Sequence, residues 1–394
     1  MVPNIPYWDE WDAYISFAHE LKKSQSLEAA FALFVAPDDQ HRIILPKLLY
    51  WIVQYLPGQL KWLMGLTLVL MLGVFTFLWQ NYFRSKLDPV KDKYFALALF
   101  LFCLSWGQSD VYFMGICISW VISNFCFLLA LRAMQKHNYL KMSIYMLINV
   151  LSLGTWLLSV PIILLAFTQE YFANQEGRKR LAVGALAYLT ASILLYLFYL
   201  PHTPSATQNL FVLWRYLGHL MMFWGIPFAS PGHKIAFAFG VVFLGAIAWF
   251  FSSKKRLAKL QEPLLVLYGF SSGLLISVPR SPNWQWLEAI GNRYSIIMTI
   301  SWSFILLSIW LTIQSKPRAR KFMLLGLAVL LLITYANELA HEISIMKSRK
   351  QAGACINRIL KQQVRLPDDD ACLKAVYPDP ERVLEIAKKT KIEF

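Results

Sequence analysis

The chain has 394 residues, 57% of them hydrophobic, with 15 Trp, 18 Tyr and 27 Phe, and a formal net charge of +15. That apolar share, gathered in uncharged runs near the length that crosses a bilayer, excludes an ordinary water-soluble globule. The positive charge does not point to nucleic acid, because the Lys and Arg residues sit in short clusters between the apolar runs, where they anchor loops. In chain order, residues 1–58 mix polar and apolar character and open with no basic n-region or signal-peptide core. Candidate spans follow at 60–82, 94–108, 111–132, 142–157, 158–173, 181–200, 236–252, 261–278, 295–314 and 322–338. Segment 94–108 and the 142–173 pair are short for a crossing, so broken or tilted helices are expected there, with Gly154 and Pro161 as break points. Residues 339–394 form a polar tail of helical pattern, with an Asp368–Asp370 run that reads best as a solvated turn.

The expected fold is therefore an all-α polytopic membrane protein of about ten transmembrane helices. Its expected parts are a first loop with amphipathic helices (1–58), a multi-span domain (59–338) and a small helical tail (339–394). Orientation follows from where Lys and Arg fall. The clusters Arg84/Lys86/Lys91/Lys93, Arg132/Lys136/Lys141, Arg178–Arg180, Lys254–Lys259 and Lys316–Lys321 all lie on one side, which is then cytoplasmic. Both terminal segments lie on the opposite, extracytoplasmic side. Parity makes 209–230 an interfacial segment, with Trp214, Arg215, Tyr216, His219 and Trp224 at headgroup level. A chain that starts outside without an exporting helix also leads us to expect a further N-terminal helix, which sequencing the native N-terminus would reveal.

Residues able to do chemistry gather on the extracytoplasmic side. Tyr7-Trp8-Asp9-Glu10-Trp11-Asp12 puts Asp9 and Asp12 on one helical face, with Trp8 and Trp11 on the neighbouring one toward lipid headgroups. The plain alternative is acids favouring the positive end of a helix dipole. Asp38-Asp39-Gln40-His41-Arg42 precedes the first span; His41 and Arg42 suit phosphate, while the acids equally suit a helix cap. Asp110, in the turn Trp106–Asp110, is either an N-cap or part of the same acidic cavity. Arg280 and Arg293, the latter beside Tyr294, are cations on the side that the loop rule leaves poor in them. They suit a lipid-linked phosphate, or simply snorkel to headgroups. Cys355 and Cys372, outside the cytoplasm, are a disulfide candidate or else two buried thiols; Cys103, Cys117 and Cys126 are packing residues. No Walker A, dinucleotide fingerprint, C-x-x-C or H-E-x-x-H occurs, so no nucleotide cofactor is expected.

On the Tyr7–Asp12 stretch, the His41-Arg42 pair, the Trp106 turn, the Arg293-Tyr294 pair and the Cys-containing tail, the chain resembles the GT-C superfamily. These are integral-membrane glycosyltransferases that use polyprenyl-linked sugar donors. The resemblance implies a bacterial inner-membrane enzyme that moves a sugar from polyprenyl phosphate to a glycan, lipid or protein acceptor of the envelope, with inversion. It implies Asp9 as the catalytic base and Glu10, Asp12 and Asp110 as ligands of acceptor or divalent cation. His41, Arg42, Arg280, Arg293 and Tyr294 would hold the phosphate of the donor. The metal requirement stays open. The alternatives are a polysaccharide or lipid transporter or flippase, and a non-catalytic envelope assembly subunit; scarce midplane charge and no internal repeat speak against transport.

Overall fold

The computed structural model describes residues 6, 9–36, 43–56, 59–105, 114–153, 156–173, 178–199, 213–228, 233–252, 261–280, 294–362, 366 and 369–390. All regular structure among them is helical. A π-helical turn, Trp11–Ser16, leads into α1 (Phe17–Lys23), followed by α2 (Leu27–Val35), α3 (Ile44–Val53) and α4 (Gln59–Leu78). Next come α5 (Lys93–Cys103), α6 (Ile118–Gln135), α7 (Tyr139–Ser152), α8 (Trp156–Ala173), α9 (Arg178–Tyr199) and α10 (Leu213–Gly225). The chain continues through α11 (His233–Phe251), α12 (Gln261–Arg280), α13 (Ser295–Thr312), α14 (Pro317–Gln362), α15 (Asp369–Lys374) and α16 (Pro380–Thr390). Over its described residues, each of the ten candidate spans lies mainly on one of these helices. Five stretches, Leu60–Phe83, Gly115–Gln135, Lys234–Phe251, Ser295–Thr312 and Pro317–Gln362, are long and apolar enough to cross a membrane.

Two helices make the centre of the bundle. In α6 and α13 nearly every side chain is buried. The helices around them turn large apolar residues outward instead: Trp62 and Val69 on α4, Leu186 and Leu194 on α9, Phe322 and Leu332 on α14. Such an outer face is stable against hydrocarbon and unstable against water. Helices that gain nothing from excluding lipid hold together by close packing and buried hydrogen bonds. Tyr268 of α12 donates to Asn124 of α6 at 3.0 Å, Ser123 of α6 bonds Asn149 of α7, and Ser301 of α13 donates to the Leu265 carbonyl of α12 at 2.8 Å. Gly225 on α10 and Gly240 on α11 let those two backbones touch, since a Cβ at either would overlap the other helix's carbonyls.

The bundle has two distinct ends. At one, Lys86 pairs with Glu262, and Arg320 donates to Asp92 at 2.8 Å and to the Lys91 carbonyl at 3.2 Å, so the 84–93 loop meets the starts of α12 and α14. Trp310, at the end of α13, also donates to Asp92 at 3.1 Å and stacks on Phe95. At the other end lie residues 9–18, the turn at 114–117, the start of α13 and the far half of α14.

Several expectations need correction. Pro161 does not break its segment: α8 runs through it from Trp156 to Ala173, and the interruption in the 142–173 pair falls just before, after Ser152. Trp11 does not face headgroups but is wholly buried in the core. His219 and Trp224 are likewise buried; the His219 ring bonds Ser277 at 2.9 Å and Trp224 stacks on Phe270. The exposed face of α10 carries Leu213 and Leu217 instead. Beyond the last candidate span α14 continues into the tail, 46 residues in all, in keeping with the helical pattern of that tail.

Candidate functional site

Glu10 is the best-defined acidic residue at the end away from the basic loops. Its side chain is fully buried, accepting a hydrogen bond from the Gly115 backbone N–H, with the Arg349 guanidinium 3.6 Å from its second oxygen. Tyr14, one turn on, donates to the Gly115 carbonyl at 3.2 Å and stacks on Tyr50 of α3 at 4.6 Å. The N-terminal segment is thus fastened to three elements distant in sequence: α3, the turn before α6, and α14. Gly115 suits this closeness, since a Cβ there would stand 3.1 Å from a Glu10 oxygen and 3.2 Å from Leu63, so that a neighbour would have to give way.

Asp12 looks the other way. It accepts from the Tyr377 hydroxyl at 2.8 Å and from Arg382 Nε and Nη2 at 3.0 and 2.6 Å. A carboxylate held by a guanidinium fork and a phenol docks the tail helix α16, and has little capacity left for an acceptor or a cation. Asp9 is half-buried on the same side. Tyr377 is held well above the ordinary tyrosine range by burial, then by its hydrogen bond to Asp12 and the negative charges of Asp12 and Asp9. Asp9 and Asp12 thus both act on Tyr377 of the tail.

The tail itself is built on α14. Its buried stripe runs Leu327, Leu331, Thr334, Glu338, Glu342, then Arg349, Ala352, Ile356 and Ile359. Spacings of three and four keep one helical face inward while its chemistry changes from apolar to charged and back. A disulfide joins Cys355 of α14 to Cys372 of α15, across a separation of 17 residues, and Arg358 pairs with Asp369 beside it.

Tyr294, at the start of α13, is buried with its ring against Trp120 and Phe223, at 4.8 and 5.9 Å between centres. That places it at the same end of the bundle as Glu10, inside the packing. Asp110, His41, Arg42 and Arg293 lie outside the described residues, as does the side chain of Arg280. Among the described residues no group of three His, Cys, Asp or Glu is placed to hold a metal ion.

Arg349, Glu338 and Glu342 do not belong to any motif read from the sequence. The signal was present: a buried stripe at three-and-four spacing that continues past the apolar span and through charged positions. Charged residues on an inward face are costly unless paired, and so mark a built site. No protein family, no curated protein and no solved structure matches this chain.

Proposed function

We propose that this chain is a membrane glycosyltransferase of the GT-C kind, moving a sugar from polyprenyl phosphate to an envelope acceptor on the face opposite the basic loops. The observation that supports it most is the meeting of the acidic segment Asp9–Asp12 with the buried guanidinium of Arg349 at that end of the bundle. In this reading Asp9, flanked by two carboxylates that are each held by an arginine, takes the proton of the acceptor hydroxyl. The acceptor oxygen forms its bond to the anomeric carbon as the bond to the phosphate oxygen breaks, with inversion. Arg280 and Arg293 neutralise the departing phosphate, the charge-stabilising role that guanidinium groups suit. Glu10 and Arg349 position the segment that carries Asp9, and Asp12 ties that segment to the tail. Glycan, lipid and protein acceptors fit this chemistry equally.

The location we propose is a bacterial plasma membrane, with both terminal segments extracytoplasmic. Support comes from the basic loops converging at the opposite end and from the Cys355–Cys372 disulfide, which belongs in an oxidising compartment. The buried charges also weigh against transport. Glu338 lies 21 residues along α14 from Pro317, roughly 30 Å of helix and about one hydrocarbon thickness from the basic rim. A transporter's charges sit near the midplane; these sit at the far edge.

The test is transfer of labelled sugar from polyprenyl phosphate by purified protein carrying Asp9→Asn, with Asp12→Asn as the comparison. Turnover surviving Asp9→Asn would remove the base. Absence of transfer by the unaltered protein with every lipid-linked sugar of its own membrane would remove the enzyme reading in favour of an assembly subunit.

A further inference from the structure

An all-apolar groove of about 670 Å³ opens between α5 and α14 on the outside of the bundle. Tyr94, Leu97 and Leu101 form one wall, and Leu325, Leu332 and Tyr335 the other. Both helices begin at the basic end, so the groove starts at that rim and runs inward. Its α14 wall spans residues 324 to 335, roughly 16 Å of helix, which is about half the hydrocarbon thickness and thus one leaflet deep. At the inner end the Tyr335 hydroxyl donates to the carbonyls of Leu101 and Leu104, at 3.1 and 3.2 Å, and closes the groove.

The mouth is cationic. Lys93 holds its ammonium 5.0 Å from the centre of the Tyr94 ring, and Tyr94 is a lining residue. Lys321 lies three and four residues before Leu324 and Leu325, on the same face of α14 and exposed. Arg320, beside it, is committed to Asp92 and to the Trp310 ring. Two exposed ammonium groups therefore stand at headgroup level over a slot with no polar lining.

From this charge complementarity and one-leaflet depth we infer that the α5–α14 groove binds an anionic phospholipid of the leaflet on the basic-loop side. One acyl chain fills the slot and the phosphate sits between Lys93 and Lys321. A second copy of this chain would have to bring an apolar ridge but has no use for the two lysines. A polyprenyl donor whose phosphate lies at the opposite end would meet the side closed by Tyr335. The site is separate from the one proposed for sugar transfer, and neither reading depends on the other.

The experiment places the full-length protein in nanodiscs of mixed phosphatidylglycerol and phosphatidylcholine, releases it, and weighs the retained lipid by native mass spectrometry. Phosphatidylglycerol retained in preference to phosphatidylcholine is expected, with the preference falling about thirtyfold or more in Lys93→Glu/Lys321→Glu, since each cation near an anionic headgroup strengthens its binding about fivefold. Ala328→Trp, at an exposed lining position, should obstruct the slot and lower retention of phosphatidylglycerol as well. Equal retention of the two lipids, or a preference untouched by the charge reversals, would overturn the proposal. So would a dimer in the unaltered protein that Ala328→Trp dissociates. The rim variant changes only exposed side chains, so the question stays decidable if the groove variant does not fold.

Discussion

Glu10 and Arg349, at opposite ends of the chain, form a buried ion pair 3.6 Å apart, with both side chains essentially without solvent contact. Removing one member of such a pair leaves the other charge in a dry site, which costs about 3–5 kcal/mol. Glu10→Gln and Arg349→Met should each lower the thermal midpoint of the detergent-solubilised protein sharply. The double variant should lose clearly less than the sum of the two, because the orphaned charge is gone. Additive losses in that cycle would show that the two groups do not interact.

Asp9 and Asp12 both act on Tyr377 yet should answer differently to the same change. Asp9→Asn is expected to lower transfer by about 10²–10⁴-fold while leaving the fold intact, the usual loss of a general base. Asp12→Asn weakens the hold of Arg382 and Tyr377, an exposed-edge contact worth about 1 kcal/mol, so transfer should fall only a few-fold. Faster proteolytic release of α16 should accompany it. Limited proteolysis and turnover measured on the same samples separate the two roles.

The all-helical class and the positions of the long apolar helices were legible from apolar runs alone, because a helix able to cross a bilayer must be long and hydrophobic whatever its partners. What a helix faces was less legible. Trp11 and Trp224 have the composition of an interfacial belt, yet both are buried, since tryptophan serves a packed core as well as a headgroup layer. The acidic cluster was readable as residues but not as directions: Glu10 turns into the bundle and Asp12 toward the tail, which depends on partners more than a hundred residues away. Arg349 was hidden for the same reason. In a polar tail a lone arginine looks solvated, and only the continuing three-and-four stripe of α14 marks it as inward.

Tyr377 gives the site a dependence on alkaline pH. Its phenol is raised above the ordinary value near 10 by burial first, then by Asp12 and Asp9, so the folded protein keeps a proton that the unfolded chain would release. The contribution of the phenol is whole below pH 10 and is lost as pH rises through the folded value. Docking of α16, followed by proteolysis, should therefore weaken above pH 10. Tyr377→Phe should dock more weakly at neutral pH but show a flatter alkaline decline. An identical decline in both proteins would assign the pH dependence to another group.

The disulfide should act on the tail and not on the spans. Closing a separation of 17 residues restricts the unfolded tail by roughly 3 kcal/mol in the chain-entropy picture. Cys355→Ser should loosen α15 and α16, seen as faster amide exchange there, while exchange in α6 and α13 stays as before. Loss of protection throughout the bundle would mean that the tail supports the spans as well.

Gly115 and Gly65 offer a contrast set by space alone. A Cβ at Gly65, within α4, meets nothing within 4 Å, so Gly65→Ala should be neutral or stabilise by about 0.5–1 kcal/mol through helix propensity. At Gly115 the added carbon comes 3.1 Å from a Glu10 oxygen and 3.2 Å from Leu63, and the Leu63 side is packed core. The carboxylate must then shift by a few tenths of an ångström, lengthening its bond to the Gly115 N–H and moving the adjacent Asp9. Gly115→Ala should cost about 1–3 kcal/mol, in the range of overpacking. It should also lower turnover with an unchanged KM for the donor, because the base moves and the phosphate ligands do not. A variant as stable and as active as the Gly65→Ala protein would show that Glu10 is not held against this turn.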